Sequence, residues 1–338
     1  MKGIVLARCA LLAPFVEILE EIGAPAERML DAFGLPAHPG EKPDDYFPLF
    51  PALRFVATAQ ASQGIADFGF QAVRRLQVSQ LSGQLQAAVR QAPTVFAALQ
   101  QLCRFAQLED TFVRYWLERH EDHLRISSAI SGTAGMLHLE HSQWVQNMVT
   151  VEFVRLFAGP NWAPKTIAFE ARYTPSVATQ ALWPNTRFLS GEKESWIDVP
   201  IELLSVPNRV RDASLVASPP EFQPIKTDTV TMLKLLLPSY LDERLPNVAQ
   251  VAEVAGTSVR SLQRELAAAG LTYSQMLDQV RLERSATMLR TTDAKIIDIA
   301  LAAGYADPAH FTRAFRRIAG ITPREFRESQ HAALAIRS

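Results

Sequence analysis

The feature that most constrains the fold of this chain is a repeat. "VAQVAEVAG" (Val248–Gly256) and "IIDIALAAG" (Ile296–Gly304) lie 48 residues apart (248 to 296) and share one pattern. Apolar residues fill the first, fourth and seventh places, alanine the fifth and eighth, and glycine the ninth. That period is helical. The alanines let a second helix approach closely, and the glycine supplies the positive φ of a helix C-cap. A cap follows each glycine: Thr257-Ser258 in the first unit, Asp307 and then Pro308 in the second. Proline suits the first helical position, where its missing N–H is not needed. Two short basic helices follow, "TSVRSLQREL" anchored by Leu262 and Leu266, and "DPAHFTRAFR" anchored by Phe311 and Phe315. Helix, tight glycine turn, short basic helix is a helix-turn-helix, written twice.

Between the units, "TYSQMLDQVRLERSATMLRTT" predicts a linking helix, opened by Thr272 and Gln275 at capping-box spacing. About 18 helical residues rise roughly 27 Å, close to the ~34 Å between successive major grooves on one face of DNA. One chain would thus carry two reading heads for double-stranded DNA. Alanine-rich helix pairs also occur in bundles that bind nothing, but two units in register with a stiff spacer favour the DNA reading. The net charge of −1 hides an asymmetry: from Gly256 onward 12 Lys+Arg face 8 Asp+Glu, an excess of +4, which leaves about −5 (−1 minus +4) elsewhere.

The rest of the chain reads differently. "LLAPFVEILEEIG" predicts an amphipathic first helix rather than a signal peptide, because Arg8 interrupts the apolar run and Glu17, Glu20 and Glu21 follow. Further helices are predicted in "APAERMLDAFGL", ending at Gly34, in "PLFPALRFVATAQAS", and on either side of Pro93 in "SGQLQAAVRQAPTVFAALQQLCRFA". "TFVRYWLERHEDHLRISSAIS" is a hairpin signal. "HSQWVQNMVTVEFVRLFAG" returns to helix, and "KTIAFEARY", "RFLSG" and "SWIDVPIELL" are strand-like. The fold class is therefore an α+β N-terminal domain, helices plus a mixed sheet, followed by an all-α C-terminal domain of two helix-turn-helix units joined by a linking helix. The expected divisions are 1–213, a linker rich in proline and serine at 214–226, and 227–338. No run approaches the ~20 apolar residues of a membrane span. Cys9 and Cys103 stand outside any metal or redox spacing, so a cytoplasmic location is expected.

From Leu245 to Phe326 the chain resembles the AraC/XylS transcription regulators. The most specific part is "IIDIALAAGYADPAHFTRAFRRIAGITPREFR", in which Ala300, Gly304, Tyr305, Phe311, Arg313, Phe315, Arg316, Gly320, Thr322, Pro323, Phe326 and Arg327 match the family signature. About residues 10–205 resemble the "arabinose-binding" N-terminal domain of one branch, through "ADFGFQAVRR", "LSGQLQAAVRQAPTVFAALQQL" and "KTIAFEARY". That label does not imply that arabinose binds.

The resemblance implies a sequence-specific transcription regulator, an activator in preference to a repressor, working with RNA polymerase and modulated by a small-molecule effector. It puts Arg260, Gln263 and Arg264 on the base-facing side of the first reading helix. Arginine can bond guanine bidentately and glutamine adenine. Ser258 at the helix start is a phosphate-contact candidate. The second helix departs from the pattern with Pro308, Ala309 and His310, which leaves His310 and Arg313 as readers and Arg316 and Arg317 as phosphate partners. The first unit should therefore carry most discrimination. Thr322 and Arg324 open a last helix whose N-terminus is expected to face phosphate.

No paired acid and base, nucleophile elbow or phosphate loop appears, so no enzyme and no cofactor are expected. His138, Glu140 and His141, like His120 and His123, hint at a metal, but neither histidine pair has a further ligand at typical spacing, and no metal is expected. For the effector, Trp116 and Trp144 are candidate pocket aromatics, beside Phe112, Tyr115, Phe153 and Phe157, with Arg114 or Arg155 for an acidic group. The alternative is an N-terminal domain that only dimerises or meets a protein partner, with the helix Gln143–Phe157 as a possible homodimer face.

Overall fold

The computed structural model describes residues 3–208, 221–243 and 245–335. Contacts divide the chain into two units, one spanning Val5–Lys226 and the other beginning at Thr227. The expected boundary at 213 and the first part of the expected linker, 214–220, lie outside the described residues. The remainder of that linker belongs to the first unit, where the Phe222 ring packs on Phe105 at 5.1 Å.

The first unit is α+β, as its pattern predicts. Strand β1 (Leu6–Arg8) pairs antiparallel with β2 (Tyr46–Pro48), a small sheet the sequence pattern did not reveal. Helix α1 (Cys9–Glu21) follows β1 directly and is buried on most of its circumference rather than along one stripe. Next come α2 (Ala26–Ala32), α3 (Leu49–Gln63), α4 (Phe68–Val73), α5 (Gly83–Gln91) and α6 (Val95–Phe105). Ser82 and Thr94 cap α5 and α6 on either side of Pro93 by accepting from Leu85 N and Ala97 N.

The predicted hairpin is β3 (Val113–Arg119) and β4 (His123–Ile130), in register from Val113↔Ile130 to Arg119↔Leu124. Helix α7 (Glu140–Ala158) separates it from β5 (Thr166–Phe169), the short α8 (Val177–Ala181), β6 (Arg187–Ser190), β7 (Ser195–Pro200) and α9 (Ile201–Leu204). The five-stranded sheet runs β3-β4-β7-β5-β6 and is mixed, because β5 and β6 are parallel and the other pairs antiparallel. Helix α7 is tied to this sheet by a buried relay: Asn147 donates to Ser195 Oγ at 2.9 Å, and Ser195 donates to the Ala168 carbonyl at 2.9 Å. On its other side, α4 comes so near that a Cβ on Gly69 would sit 2.8 Å from His141 Cα. As a result Leu156 is the one exposed residue of α7, and the helix offers no broad face for a second copy.

The second unit is helical throughout: α10 (Thr229–Leu236), α11 (Val248–Val254), α12 (Val259–Ala268), α13 (Tyr273–Thr291), α14 (Ile296–Ala302), α15 (Pro308–Ala319) and α16 (Pro323–Ala335). The linking helix is α13. Thr272 and Gln275 form the predicted capping box at its start, and its 19 residues rise about 28 Å. The core of the second helix-turn-helix is a ladder of aromatic rings: Tyr305–Phe311, Phe311–Phe315 and Phe315–Phe326 have centroids 5.3, 5.7 and 5.6 Å apart. The first has aliphatic anchors, with Leu262 and Leu266 fully buried.

Candidate functional site

The two helix-turn-helix turns are built by the same bonds. In the first, Gly256 N–H donates to Glu253 O and Thr257 N–H to Ala252 O, both at 2.9 Å. In the second, Gly304 N–H donates to Leu301 O at 2.8 Å and Tyr305 N–H to Ala300 O at 2.9 Å. These are the paired bonds of a left-handed helix C-cap, and both glycines have the required positive φ, +60° and +77°. The next helices then begin on side-chain caps. Ser258 Oγ accepts from Ser261 N–H at 3.2 Å, and Asp307 accepts from Ala309 and His310 N–H at 2.9 and 3.1 Å.

Capping uses the Ser258 hydroxyl but leaves it exposed. On α12 the side chains of Arg260, Gln263 and Arg264 are all exposed, and neither arginine has an ion-pair partner among the described residues. The amphipathic spacing explains the arrangement, since Leu262 and Leu266 take the inner face and leave the three polar residues outward. On α15 the arrangement is different. His310 is exposed, with its ring edge on Tyr305 at 5.7 Å. Arg313 lies 3.9 Å from Asp307, and Arg317 pairs with Asp278 of α13 at 2.8 Å. Arg316 is exposed and has no such partner among the described residues. At the start of α16, Thr322 and Glu325 form a reciprocal cap, in which Thr322 N–H donates to Glu325 at 2.7 Å and Glu325 N–H to Thr322 Oγ1 at 3.3 Å. The Thr322 backbone N–H, joined by the Thr322 hydroxyl, holds Glu325 below the usual carboxylate range. Arg324 pairs with Glu328 at 2.9 Å.

The first unit contains a cavity of about 80 Å3 between α1, α3, α7 and the β3–β4 hairpin, walled largely by Leu, Val, Ala and Phe. A single water needs ~10–15 Å3, so the space exceeds a solvent site. Its polar wall is formed by Glu109, Asp110, Tyr115, His141, Ser142 and Gln146. Burial raises the Asp110 carboxyl to about 7 and lifts the Tyr115 phenol well above its usual value. Glu109 is held by Arg8, whose guanidinium is 3% exposed and also donates to the Gln80 carbonyl and Asp44.

None of the four expected effector residues lines this cavity. Trp144 is fully buried in the core instead, its indole N–H donating to the Tyr173 hydroxyl at 3.0 Å, which in turn donates to Asp67 at 2.6 Å. Trp116 donates to Glu118 on the hairpin surface, and Arg114 is exposed one residue away from the inward Tyr115. Arg155 is committed to the Trp162 carbonyl and Glu152, over the Trp183 ring. The alternation of a strand decides the hairpin residues: Val113 and Tyr115 face in, so Arg114 and Trp116 face out. Asp110 and His141 were not anticipated as cavity residues. The signal available for Asp110 was an acidic pair, Glu109-Asp110, set directly against an apolar strand.

For a metal, the ligand atoms of His138, Glu140 and His141 all lie within 4.8 Å of one another, the one such group among the described residues. Glu140 supplies the third donor that the spacing of the histidines does not. His138 precedes the helix, in a left-handed conformation at φ +63°. His120 and His123 stack at 4.5 Å on the hairpin turn, where His123 meets Asp122 and Asp198.

Two helix-turn-helix units on a shared linking helix, each presenting an exposed basic helix, define a double-headed DNA-binding protein. Residues 251–329 match the family described as "Helix-turn-helix domain", and residues 23–207 match "Arabinose-binding domain of AraC transcription regulator, N-term". The second match spans more than half of the chain, and the protein belongs to the AraC family of DNA-binding transcription regulators, not to an enzyme family. It is 22% identical over 337 residues to the HTH-type transcriptional regulator VirS of Mycobacterium tuberculosis, covering 95% of this chain and 96% of that one. It is 42% identical over 84 residues to the ornithine utilization regulator of Pseudomonas aeruginosa, a match that spans 25% of each chain. The crystal structure of the transcriptional regulator CdpR from Pseudomonas aeruginosa aligns at 19% identity and a TM-score of 0.38, covering 81% of this chain and 91% of that chain. Among the described residues no helix is long and apolar enough to cross a membrane.

Proposed function

We propose that this regulator is an activator whose promoter binding is switched by a small molecule held in the cavity of its N-terminal unit. The observation that carries this reading is the cavity itself. It is an apolar space with buried, titratable groups on one wall, and small-ligand sites are lined in that way. A domain serving only as a dimer face or protein adaptor has no need of such a space.

In this reading α12 discriminates bases through Arg260, Gln263 and Arg264, which are already presented outward and unpaired. Helix α15 contributes His310 and Arg313. Ser258, Arg316, Arg317, Thr322 and Arg324 position the protein on phosphate, so binding weakens as salt rises. Activation runs through RNA polymerase recruited at the promoter, and a homodimer would double the number of heads on a site.

The test combines a metabolite screen with promoter affinity. A ligand that binds only the folded protein raises its melting temperature by mass action. Compounds that do so are then added to anisotropy titrations on promoter DNA and to transcription reactions with RNA polymerase. The expected result is a ligand that changes promoter affinity and raises transcript yield. Tight promoter binding indifferent to every stabilising ligand would end the switch reading. Falling transcript yield would make the protein a repressor.

A further inference from the structure

We propose that the ligand of this cavity is an uncharged, largely apolar molecule with one hydrogen-bonding group, which pairs with the imidazole of His141. The inference rests on the effector reading above and names the ligand class.

The polar wall has little left to offer. Tyr115 donates to the Gln146 carbonyl at 3.1 Å, Gln146 Oε1 accepts from Ser128 at 2.7 Å, and Ser142 donates to the Leu139 carbonyl at 3.0 Å. Asp110 Oδ1 accepts from Phe112 N–H at 2.9 Å, and Glu109 is bonded by Arg8 and by Ser82 N–H. His141 is different. Its side chain is 3% exposed, and both ring nitrogens are buried without a hydrogen-bond partner. The nearest acid, Glu140, lies 3.8 Å from Nε2, beyond bonding reach. Buried polar atoms in this state call for an explanation, and an absent ligand is one.

Charge selects the class. No carboxylate is bonded to either ring nitrogen, so what His141 presents to a ligand is the one donor and one acceptor of an imidazole rather than a paired charge. Among the described residues no Lys or Arg lines the cavity, and Arg8, which holds Glu109, is also paired with Asp44. An anionic ligand would meet Glu109 and a desolvated Asp110 with no free positive charge to offset them. A sugar brings a hydroxyl on nearly every carbon, and most of these would be buried unpaired among aliphatic side chains. A single hydroxyl or carbonyl on an apolar body meets one unpaired His141 nitrogen and leaves the rest of the molecule against the aliphatic wall. The volume sets the scale: 80 Å3 is about half the ~150 Å3 apolar cavity that admits benzene, so the enclosed part is a short alkyl segment or a ring for which the wall must widen.

The experiment uses the full chain with a chelator present, so that His138, Glu140 and His141 hold no metal. Phenol, 1-hexanol, hexanoate, hexylamine and L-arabinose are compared at equal concentration by melting temperature, by 15N spectra of histidine-labelled protein and by promoter affinity. Ala52→Leu, which fills the cavity from α3, controls for bulk solvent effects. His141→Gln assigns the His141 resonances. Phenol or 1-hexanol should raise the melting temperature of the natural protein relative to Ala52→Leu and shift the His141 ring nitrogens; the other three should do neither. Binding by L-arabinose, hexanoate or hexylamine in preference would overturn the ligand class, and a linked change in promoter affinity would leave effector control standing. Failure of both neutral probes to bind, or binding with unmoved His141 nitrogens, would also overturn it. Neutral probes that bind as expected but leave promoter affinity untouched would support the ligand class and sink effector control. Should His141→Gln fail to fold, the Ala52→Leu comparison still decides whether the cavity is the site.

Discussion

The two helix-turn-helix units share a backbone and differ in almost everything attached to it. Their turns close with the same pair of hydrogen bonds, 48 residues apart. The first unit buries leucines and sends two unpaired arginines and a glutamine outward. The second packs a ladder of four aromatic rings, three buried and Phe326 half-buried, and begins its outward face with proline and alanine. Its Arg313 and Arg317 lie beside Asp307 and Asp278. One copy leaves its two arginines without an ion-pair partner among the described residues, while the other spends part of its charge on pairs within its own unit. The lesson is that a helix-turn-helix backbone specifies where side chains can reach, and the residues placed there decide whether the helix reads or braces.

The largest expected effect separates the two glycines. Gly256 needs only its positive φ, and a Cβ there would meet open space. Alanine at 256 should cost about 1–2 kcal/mol. At Gly304 the same φ problem is joined by a collision, because a Cβ would lie 2.2 Å from the Leu241 carbonyl oxygen. Gly304→Ala should cost roughly 2–5 kcal/mol, the backbone penalty plus overpacking. Denaturant unfolding of both variants checks this, and equal losses would remove the packing difference between the turns.

A middle-sized effect concerns reading. Arg260→Ala should weaken binding to the preferred site by about 1–3 kcal/mol and relax base preference at one position. Arg313→Ala should relax base preference less than Arg260→Ala does, because its helix mainly positions the protein on the backbone. Selection of bound sites from a randomised pool measures both. Equal relaxation of preference would erase the division of labour.

The smallest effect concerns the ion pair between α15 and α13. Asp278→Ala frees Arg317, and because the pair is substantially exposed the stability change should stay within about 1 kcal/mol. Promoter affinity should rise, with a salt slope steeper by about 1 as one more cation reaches phosphate. An unchanged slope would mean that Arg317 does not approach the backbone.

The C-terminal half was legible because its signals are local. Alanine spacing, terminal glycine, caps and the box at Thr272 all lie within a few residues of what they control, and the structure places each of them as expected. The hairpin and α7 were legible for the same reason. Sequence reading failed where the deciding contact is distant. Arg8 looked like a break in an apolar run, yet it is the buried partner of Glu109, 101 residues on. Trp144 looked like a pocket aromatic because large rings suit pockets, but it equally suits a core whose Tyr173 and Phe169 come from a later strand and loop. Asp110 and His141 became cavity residues only when α1, α3 and α7 closed around them.

The Leu241 carbonyl seated against Gly304 has one more consequence. The segment ahead of the first helix-turn-helix packs on the turn of the second, while α13 spans between them as a single strut. The two heads are therefore joined by a packed contact and a continuous helix rather than by a loose tether. One base pair inserted between their half-sites would turn the far half-site by about 34–36°, and the heads could follow it only by giving up that packing. The DNA would have to twist or bend instead, so this protein should tolerate base substitutions between its half-sites far better than any change in their spacing.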